Sequence, residues 1–477
     1  MTSDSPLSTL GMGLDPRAEI FVRGDCVLRA IRPGHETFYR SVLEQPAIRD
    51  AMRDGLLIDT RIADEAIDGF ALVLAHPRIA PMSFPFEWTP SMFQAAAAAV
   101  LELNARLMRA GFCTVDGHPW NILFDGARPV FVDFTSIVAL PRDGRWPEAL
   151  EFYRTCISAL RLMEKGYPTP ARALLREVRE GPDPTLANAV LMHGKRFEKL
   201  PAGLRELRKA GAVAGHFAGK VARRFRTGSS AAAPLAEVEA LLAEVRAMRV
   251  SPADEMWSDY YDGRSDVGFF DGTRASLDDL IAKSPKYQAI DRLLDRLKPS
   301  SVLDVACNRG PFSQLAALKG ARAIGIDTDE AALDAMFRDT QKLGTRVTPL
   351  WCNFVTPAEP ITFRQRPFPD VAERLRSDCV LCLALVHHLV FKGFRLNFEH
   401  VAAMLSELTA KHLIVEFVPT ADRALADFLK TRDEEFRARF AWYSLENFKT
   451  ALGRHFASIE ELPSFPEPRA LLVCTRA

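Results

Sequence analysis

The first lysine in this chain is Lys165. Any chemistry in the amino-terminal third that calls for a lysine ammonium must therefore use arginine or do without. Surplus charge is lacking as well. With 61 Lys+Arg against 61 Asp+Glu the formal net charge is zero, which excludes a global attraction to nucleic acid or to an anionic membrane and leaves only local patches. No run reaches the ~18 apolar residues of a membrane span, and the opening MTSDSPLSTLGMGLDP has neither the basic nor the apolar part of a secretion signal. A soluble, cytoplasmic protein without a membrane span is expected. The eight cysteines (Cys26, Cys113, Cys156, Cys307, Cys352, Cys379, Cys382 and Cys474) are scattered over 477 residues, far below the density of a disulfide scaffold, so no disulfides are expected. No sequence period of about 20 to 50 residues recurs, which excludes solenoids and propellers.

What is present suffices for two or three domains, each with its own core: 477 residues, 48% of them hydrophobic. Residues 1–150 mix short β-type runs (19–31, 70–74, 122–124 and 129–134) with a helical stretch over 91–110, an α+β pattern. Residues 151–250 read as a helical extension, interrupted by glycine and proline at 166–168 and 181–184, with RTGSSAAAP at 226–234 as a linker and an amphipathic helix over 235–248. From 251 to 477 strands alternate with helices (VLDVA, ARAIGID, RVTPLWC, CVLCLALV, HLIVEFV). That alternation predicts an α/β domain with a doubly wound, mostly parallel sheet.

In such sheets ligands sit beyond the carboxyl ends of the strands, where strand order reverses. VLDVACNRGPFS, residues 302–313, is a strand, a turn and a helix start at such an end. Gly310 lets backbone approach a ligand with no Cβ in the way, and the helix start offers free N–H groups. AIGIDTDE ends the second strand at Asp327, 23 residues after Asp304, where an acid can accept hydrogen bonds from two ribose hydroxyls; a solvated or helix-capping Asp is the plainer alternative. A dinucleotide pyrophosphate wants G-x-G-x-x-G, and ACNRGPF places Ala306 and Asn308 where further glycines belong. The turn instead resembles the D-x-G-x-G-x-G motif of Rossmann-like methyltransferases, with Gly310 as its third glycine. CNRGPFS, IGIDTDE, LWCNF, SDCVLCLALVHHLVF and LIVEFVP, in that order and spacing, resemble the class I S-adenosylmethionine-dependent methyltransferases related to the nodulation host-specificity protein NoeA. The likeness covers about residues 255–477, and GDCVLRAIRP, FPFEWTPSMF and GARPVFVDFTS extend it more weakly upstream.

The resemblance implies S-adenosylmethionine as cofactor. Asp304 would organise its methionine end, Ala306, Asn308 and Gly310 would form the turn against it, Asp327 would hold the ribose, and Asn353 would accept a bond from the adenine amine. Asp378, at the start of the fourth strand, would frame the transfer pocket. His387 and His388 follow that strand, and either could serve as general base toward a small-molecule acceptor; packing or a backbone hydrogen bond is the plainer role. A zinc site built from Cys352, Cys379, Cys382 and the two histidines fails, because strand residues three apart point to opposite faces. No metal is expected there.

TVDGHPWNILFDGARPVFVDFTS places Asp116 five residues before Asn121 and Asp133 twelve after it. That spacing resembles the catalytic and metal-binding loops of kinase-like phosphotransferases of the aminoglycoside and choline type. It implies Mg-ATP as ligand, Asp116 as base, and Asn121 and Asp133 on the metal. Thr114 stands where such enzymes usually carry histidine, no glycine-rich loop precedes, and Arg29 is the one evident cation in place of the strand lysine. The region therefore reads as a kinase-like domain that binds rather than transfers. The segment 195–228, with ten Lys/Arg against two Glu, reads as solvated helix faces rather than a nucleic-acid surface. Methyl transfer to a small or carbohydrate-related acceptor is the expected function. An active small-molecule phosphotransferase and a non-catalytic nucleotide-binding scaffold are the alternatives.

Overall fold

A computed structural model describes residues 8–9, 15–176, 233–253, 270–358, 369–392 and 395–477. The basic segment 195–228 and residues 226–232 of the linker predicted at 226–234 lie outside the described residues, while Ala233–Pro234 form a short strand. The chain forms two compact units, residues 1–253 with 360–368, and residues 254–359 with 369–477.

The first unit begins with an antiparallel sheet of β1 (Ser8–Thr9), β2 (Ala18–Arg23), β3 (Cys26–Ile31), β4 (Arg61–Ile62) and β5 (Leu72–Pro77), in the order β1-β2-β3-β5-β4. The predicted run over 19–31 is a hairpin, because Gly24 takes φ 57° and turns the chain between β2 and β3. The helix Pro90–Arg109 follows. Pro90 occupies its first position, and the Thr89 hydroxyl accepts the Met92 N–H at 3.3 Å. Its buried Met92, Phe93, Ala96, Ala97, Val100, Leu103 and Leu107 recur at helical spacing. Short antiparallel pairs come next: the hairpin of β7 (Ile122–Asp125) with β8 (Arg128–Phe131), flanked by β6 (Phe112–Thr114) paired with β9 (Ile137–Ala139). β10 (Arg145–Trp146) pairs with β11 (Ala233–Pro234). The amphipathic helix, Leu235–Ala247, lies against Pro90–Arg109: Gln94 Nε2 donates to Val245 O at 2.7 Å and to Met248 O at 2.8 Å, and Arg109 pairs with Glu239. The carboxyl end of the predicted extension is thus part of the first unit.

The second unit holds one seven-stranded sheet. Its strands are β12 (Ser301–Val305), β13 (Arg322–Asp327), β14 (Val347–Trp351), β15 (Ser377–Cys382), β16 (Thr409–Phe417), β17 (Ser458–Pro463) and β18 (Ala470–Thr475), in the order β14-β13-β12-β15-β16-β18-β17. β12 to β16 are parallel, and β18 runs antiparallel between β16 and β17. β12 is buried at all five positions and β13 at its four central ones, which is why these segments read as continuous apolar runs. The chain leaves β12 toward β13 and β14, then crosses to β15 on the other side. Strand order therefore reverses between β12 and β15, and a crevice opens at their carboxyl ends.

Candidate functional site

The turn after β12 is held by backbone. Cys307 N–H donates to Ile326 O at 3.1 Å and Gly310 N–H to Cys307 O at 2.9 Å. Ala306, Asn308 and Gly310 all take left-handed backbone, with φ of 58°, 50° and 69°. Two of the three glycine positions of the motif are thus filled by residues that adopt the glycine conformation at about 1–2 kcal/mol each. Arg309, between them, is anchored by Nε donating to Asp339 Oδ2 at 2.8 Å.

Asp304 is buried at 3% exposure, and its Oδ2 accepts the Ser313 hydroxyl at 2.7 Å. Burial pushes its carboxyl up to about 7; the Ser313 bond opposes this, and the charge of Asp327 adds to it. Between its ordinary value of 3.8 and about 7 the folded chain holds a proton that the unfolded chain releases. Stability therefore falls as pH rises through that window. Asp304→Asn, whose amide oxygen can still accept from Ser313, is expected to raise Tm at pH 8 by roughly 3–10 °C, about 1–3 kcal/mol, with no gain at pH 4. Thermal melts at the two pH values check this.

Asp327, at the end of β13, ties the two turns together. Its Oδ2 accepts Asn308 N–H at 2.7 Å, and its Oδ1 accepts Thr328 N–H at 2.7 Å and Asp329 N–H at 2.9 Å. A carboxylate offers about four accepting positions, so about one remains for a further donor. Asn353 spends its side-chain oxygen locally, on the N–H groups of Val355 at 3.1 Å and Thr356 at 3.3 Å, beyond the end of β14.

Two expectations are corrected here. Asp378 lies at the opposite edge of the sheet. It is the second residue of β15, donates its N–H to Ser301 Oγ at the start of β12, accepts from Ser300, and pairs with Lys411 at 3.1 Å. Cys382, four residues on, pairs with Val305, so at ~3.3 Å per residue Asp378 is about 13 Å short of the crevice. It frames no transfer pocket. Gly310 was expected to spare room for a ligand, but a Cβ there would meet Met336, with Sδ at 2.6 Å. A Cβ on Gly325 would meet Cys307 Sγ at 2.9 Å and Met336 Sδ at 3.2 Å. The two glycines make space for a buried thioether.

His387 and His388 open the helix Val386–Phe391 beyond β15, at the same edge as Asp304, with ring centroids 4.1 Å apart. Burial pushes His387 down to about 3 and His388 to about 4, and the charges of Lys392 and Arg469 act in the same direction. Both imidazoles are therefore neutral near pH 7. Among the described residues Nδ1 of His387 is buried with no hydrogen-bond partner.

Sequence reasoning missed a charged network beside them. Glu416, wholly buried near the end of β16, accepts from Lys286 Nζ at 2.8 Å and Ser464 Oγ at 2.5 Å. Arg469 Nε donates to Asp422 Oδ2 at 2.8 Å and lies 3.8 Å from Glu416 through Nη1. Three of the four charged groups follow the last motif or precede the first one, and nothing in their local spacing announces them. The one available signal was the E of LIVEFVP, a single acid inside an apolar strand. Cys379 and Cys382 are buried in β15, and burial pushes the Cys379 thiol up to about 12.

In the first unit Arg29, buried on β3, donates through Nη1 to Asp133 Oδ1 and Thr135 Oγ1, both at 2.6 Å, and through Nη2 to Val132 O at 3.1 Å. Burial raises the Asp116 carboxyl, opposed by His118 and reinforced by Asp133 and Glu151. Asn121 closes the turn before β7; its carbonyl accepts Val132 N–H at 2.8 Å, and its Nδ2 is buried with no partner among the described residues. Thr114 is bonded to Asn104 inside the long helix, with its N–H on Asn104 Oδ1 at 3.0 Å. The structure thus brings Arg29, Asp133 and Asp116 into one electrostatic group.

No protein-family model matches the chain. It is 26% identical over 475 residues, 94% of this chain and 92% of the other, to nodulation protein NoeA of Rhizobium meliloti (strain 1021). Similar solved structures include magnesium protoporphyrin IX methyltransferase (ChlM) of Synechocystis PCC 6803 with bound SAH, 17% identical, covering 46% of this chain and 98% of that one at a TM-score of 0.31. N-methyltransferase NodS of Bradyrhizobium japonicum WM9 is 14% identical, covering 41% and 98% at a TM-score of 0.27. The chain is thus similar to NoeA along nearly its whole length, and its second unit carries a mostly parallel sheet whose strand order reverses between β12 and β15.

Proposed function

We propose that the second unit binds S-adenosylmethionine at the carboxyl edge of β12 and β13 and transfers its methyl group to a small-molecule acceptor. The observation that carries this reading is the turn at 306, 308 and 310, left-handed at all three positions although two of them lack glycine. Strained backbone of this kind persists where a site requires its path. The residues fit the cofactor. Asp304, whose carboxyl burial raises to about 7, would complete its ionisation on meeting the methionine ammonium. Asp327 keeps one accepting position for ribose, and the turn supplies close backbone. Asn353 would touch the adenine side only weakly, since its oxygen is shared by its own turn. When bound, the cofactor supplies an already activated methyl group, so the chain's task is alignment and acceptance of a proton. Calorimetric titration with S-adenosylhomocysteine tests the reading. Binding is expected, with release of a fraction of a proton at pH 7, visible as a heat that depends on the ionisation enthalpy of the buffer. Absence of binding would overturn it.

For the first unit we infer a kinase-like domain that does not transfer phosphoryl groups. Phosphoryl transfer needs metal and cation at the developing charge. Here the Asp133 oxygen that the resemblance assigns to Mg²⁺ is paired with Arg29. Arginine offers a rigid fork, which favours keeping that carboxylate over releasing it to a metal. With Mg-ATP and a panel of sugars and amino-alcohols, ADP release is expected to stay at the background rate. Acceptor-dependent release that disappears in a folded Asp133→Asn variant would make this unit a second active site.

A further inference from the structure

The charges beyond β15 and β16 constrain what the acceptor can be, granted the methyltransferase reading above. Lys286 and Arg469 keep 12% side-chain exposure each, Glu416 none and Asp422 4%. Each cation is matched to an acid: Lys286 to Glu416 at 2.8 Å and Arg469 to Asp422 at 2.8 Å. Asp422 is held further by capping the helix Arg423–Lys430, where it accepts the N–H groups of Ala424 and Leu425. The hydroxyl of Tyr443 is committed to Val418 O at 2.9 Å. The two imidazoles facing this network are neutral, and Lys392, on the solvent side, lies 5.4 Å from the centroid of the Phe428 ring.

A buried ion-pair network of this kind contributes little to stability relative to apolar packing, while breaking one partner is costly. What it does give the crevice is a floor of balanced charge. An anionic acceptor would find each cation already matched, and an ammonium would meet carboxylates already neutralised. Either would be desolvated without a counter-charge, at high cost. A neutral hydroxyl meets no such penalty. The buried Nδ1 of His387, without a partner among the described residues, needs a hydrogen-bonding group to satisfy it. In the tautomer with hydrogen on Nε2 it is an acceptor for an O–H donor.

We infer that the acceptor side of the crevice takes an uncharged, hydroxyl-bearing molecule, which donates to Nδ1 of His387 above the neutral Lys286–Glu416–Arg469–Asp422 floor. His387 touches the acceptor. Arg469 acts through its neighbours as a positioning residue.

The test uses the full chain saturated with S-adenosylhomocysteine and a matched set of probes: benzyl alcohol and methyl glucoside, benzylamine, benzoate, and glycerol phosphate. The imidazole signals are followed by NMR and assigned with His387→Gln and His388→Gln. A saturable shift of the His387 signal by a hydroxyl probe is expected, with the charged probes binding at least about tenfold more weakly. His387→Gln should lose about tenfold in hydroxyl-probe affinity while keeping its affinity for S-adenosylhomocysteine. Arg469→Met, which leaves two carboxylates facing one cation, should shift preference toward benzylamine, whereas Arg469→Lys should keep the wild-type order. Where Arg469→Met does not fold, Lys286→Met makes the same charge change at the other pair. Stronger binding of the amine, the carboxylate or the phosphate by the wild type would overturn the inference. So would the lack of any saturable response to the hydroxyl probes. Failure to bind S-adenosylhomocysteine at all would instead overturn the methyltransferase reading on which the inference rests.

Discussion

Asp327→Ala is expected to weaken S-adenosylhomocysteine binding by at least about 100-fold. Two losses combine. The ribose would forfeit a charge-assisted hydrogen bond worth about 1.5–3 kcal/mol. The turn would also lose the carboxylate that accepts from Asn308, Thr328 and Asp329, leaving the left-handed residues 306 and 308 without their tether. Asp327→Asn separates the effects only in part, because its amide can satisfy Thr328 and Asp329 through oxygen but turns a donor toward the N–H of Asn308. It should bind more tightly than the alanine variant and more weakly than wild type. Calorimetry on both, with circular dichroism to show that they are folded, is the measurement. Wild-type affinity in Asp327→Ala would remove this carboxylate from the site.

Gly310→Val is expected to destabilise the second unit by about 3–5 kcal/mol, roughly 6–20 °C in Tm. A branched residue at φ 69° is strained in itself, and its Cβ would enter the space of Met336. Met336 is fully buried in the core with Leu315, Ala323 and Leu333, so its tip can move only at the expense of neighbouring packing. The double variant Gly310→Val with Met336→Ala should recover part of the loss, since the collision is removed while the backbone strain remains. A Gly310→Val protein with wild-type Tm but no cofactor binding would put the ligand, rather than Met336, at that Cβ position.

The parallel core of the second unit was legible because both faces of its strands are covered. Burial on both sides forces unbroken apolar segments, and those are visible without a structure. The edge hairpin was less so: β17, SIEELP, is exposed at four of its six positions and carries little apolar pattern. Asp304 and Asp327 stood out in the sequence because they lie at the carboxyl ends of recognisable strands, next to last in β12 and last in β13. Asp378 was read correctly at the start of the fourth strand but assigned to the pocket, which lies beyond the other, carboxyl end of that strand. The role of Gly310 was misread because its neighbour, Met336, lies on a different helix.

The sequence by itself determined the alternation of elements, the turn that departs from a dinucleotide motif, the acid after the second strand and the missing amino-terminal lysine. Each rests on local chemistry: burial periodicity, backbone freedom and residue type. Only the tertiary structure decided that Arg29 closes on Asp133, that Met336 fills the space beside two glycines, and that Lys286, Glu416, Asp422 and Arg469 meet below His387. Those contacts join residues from 11 positions apart, Gly325 and Met336, to 130 positions apart, Lys286 and Glu416. Side-chain charge and shape act over a few ångströms of space, whatever the separation along the backbone.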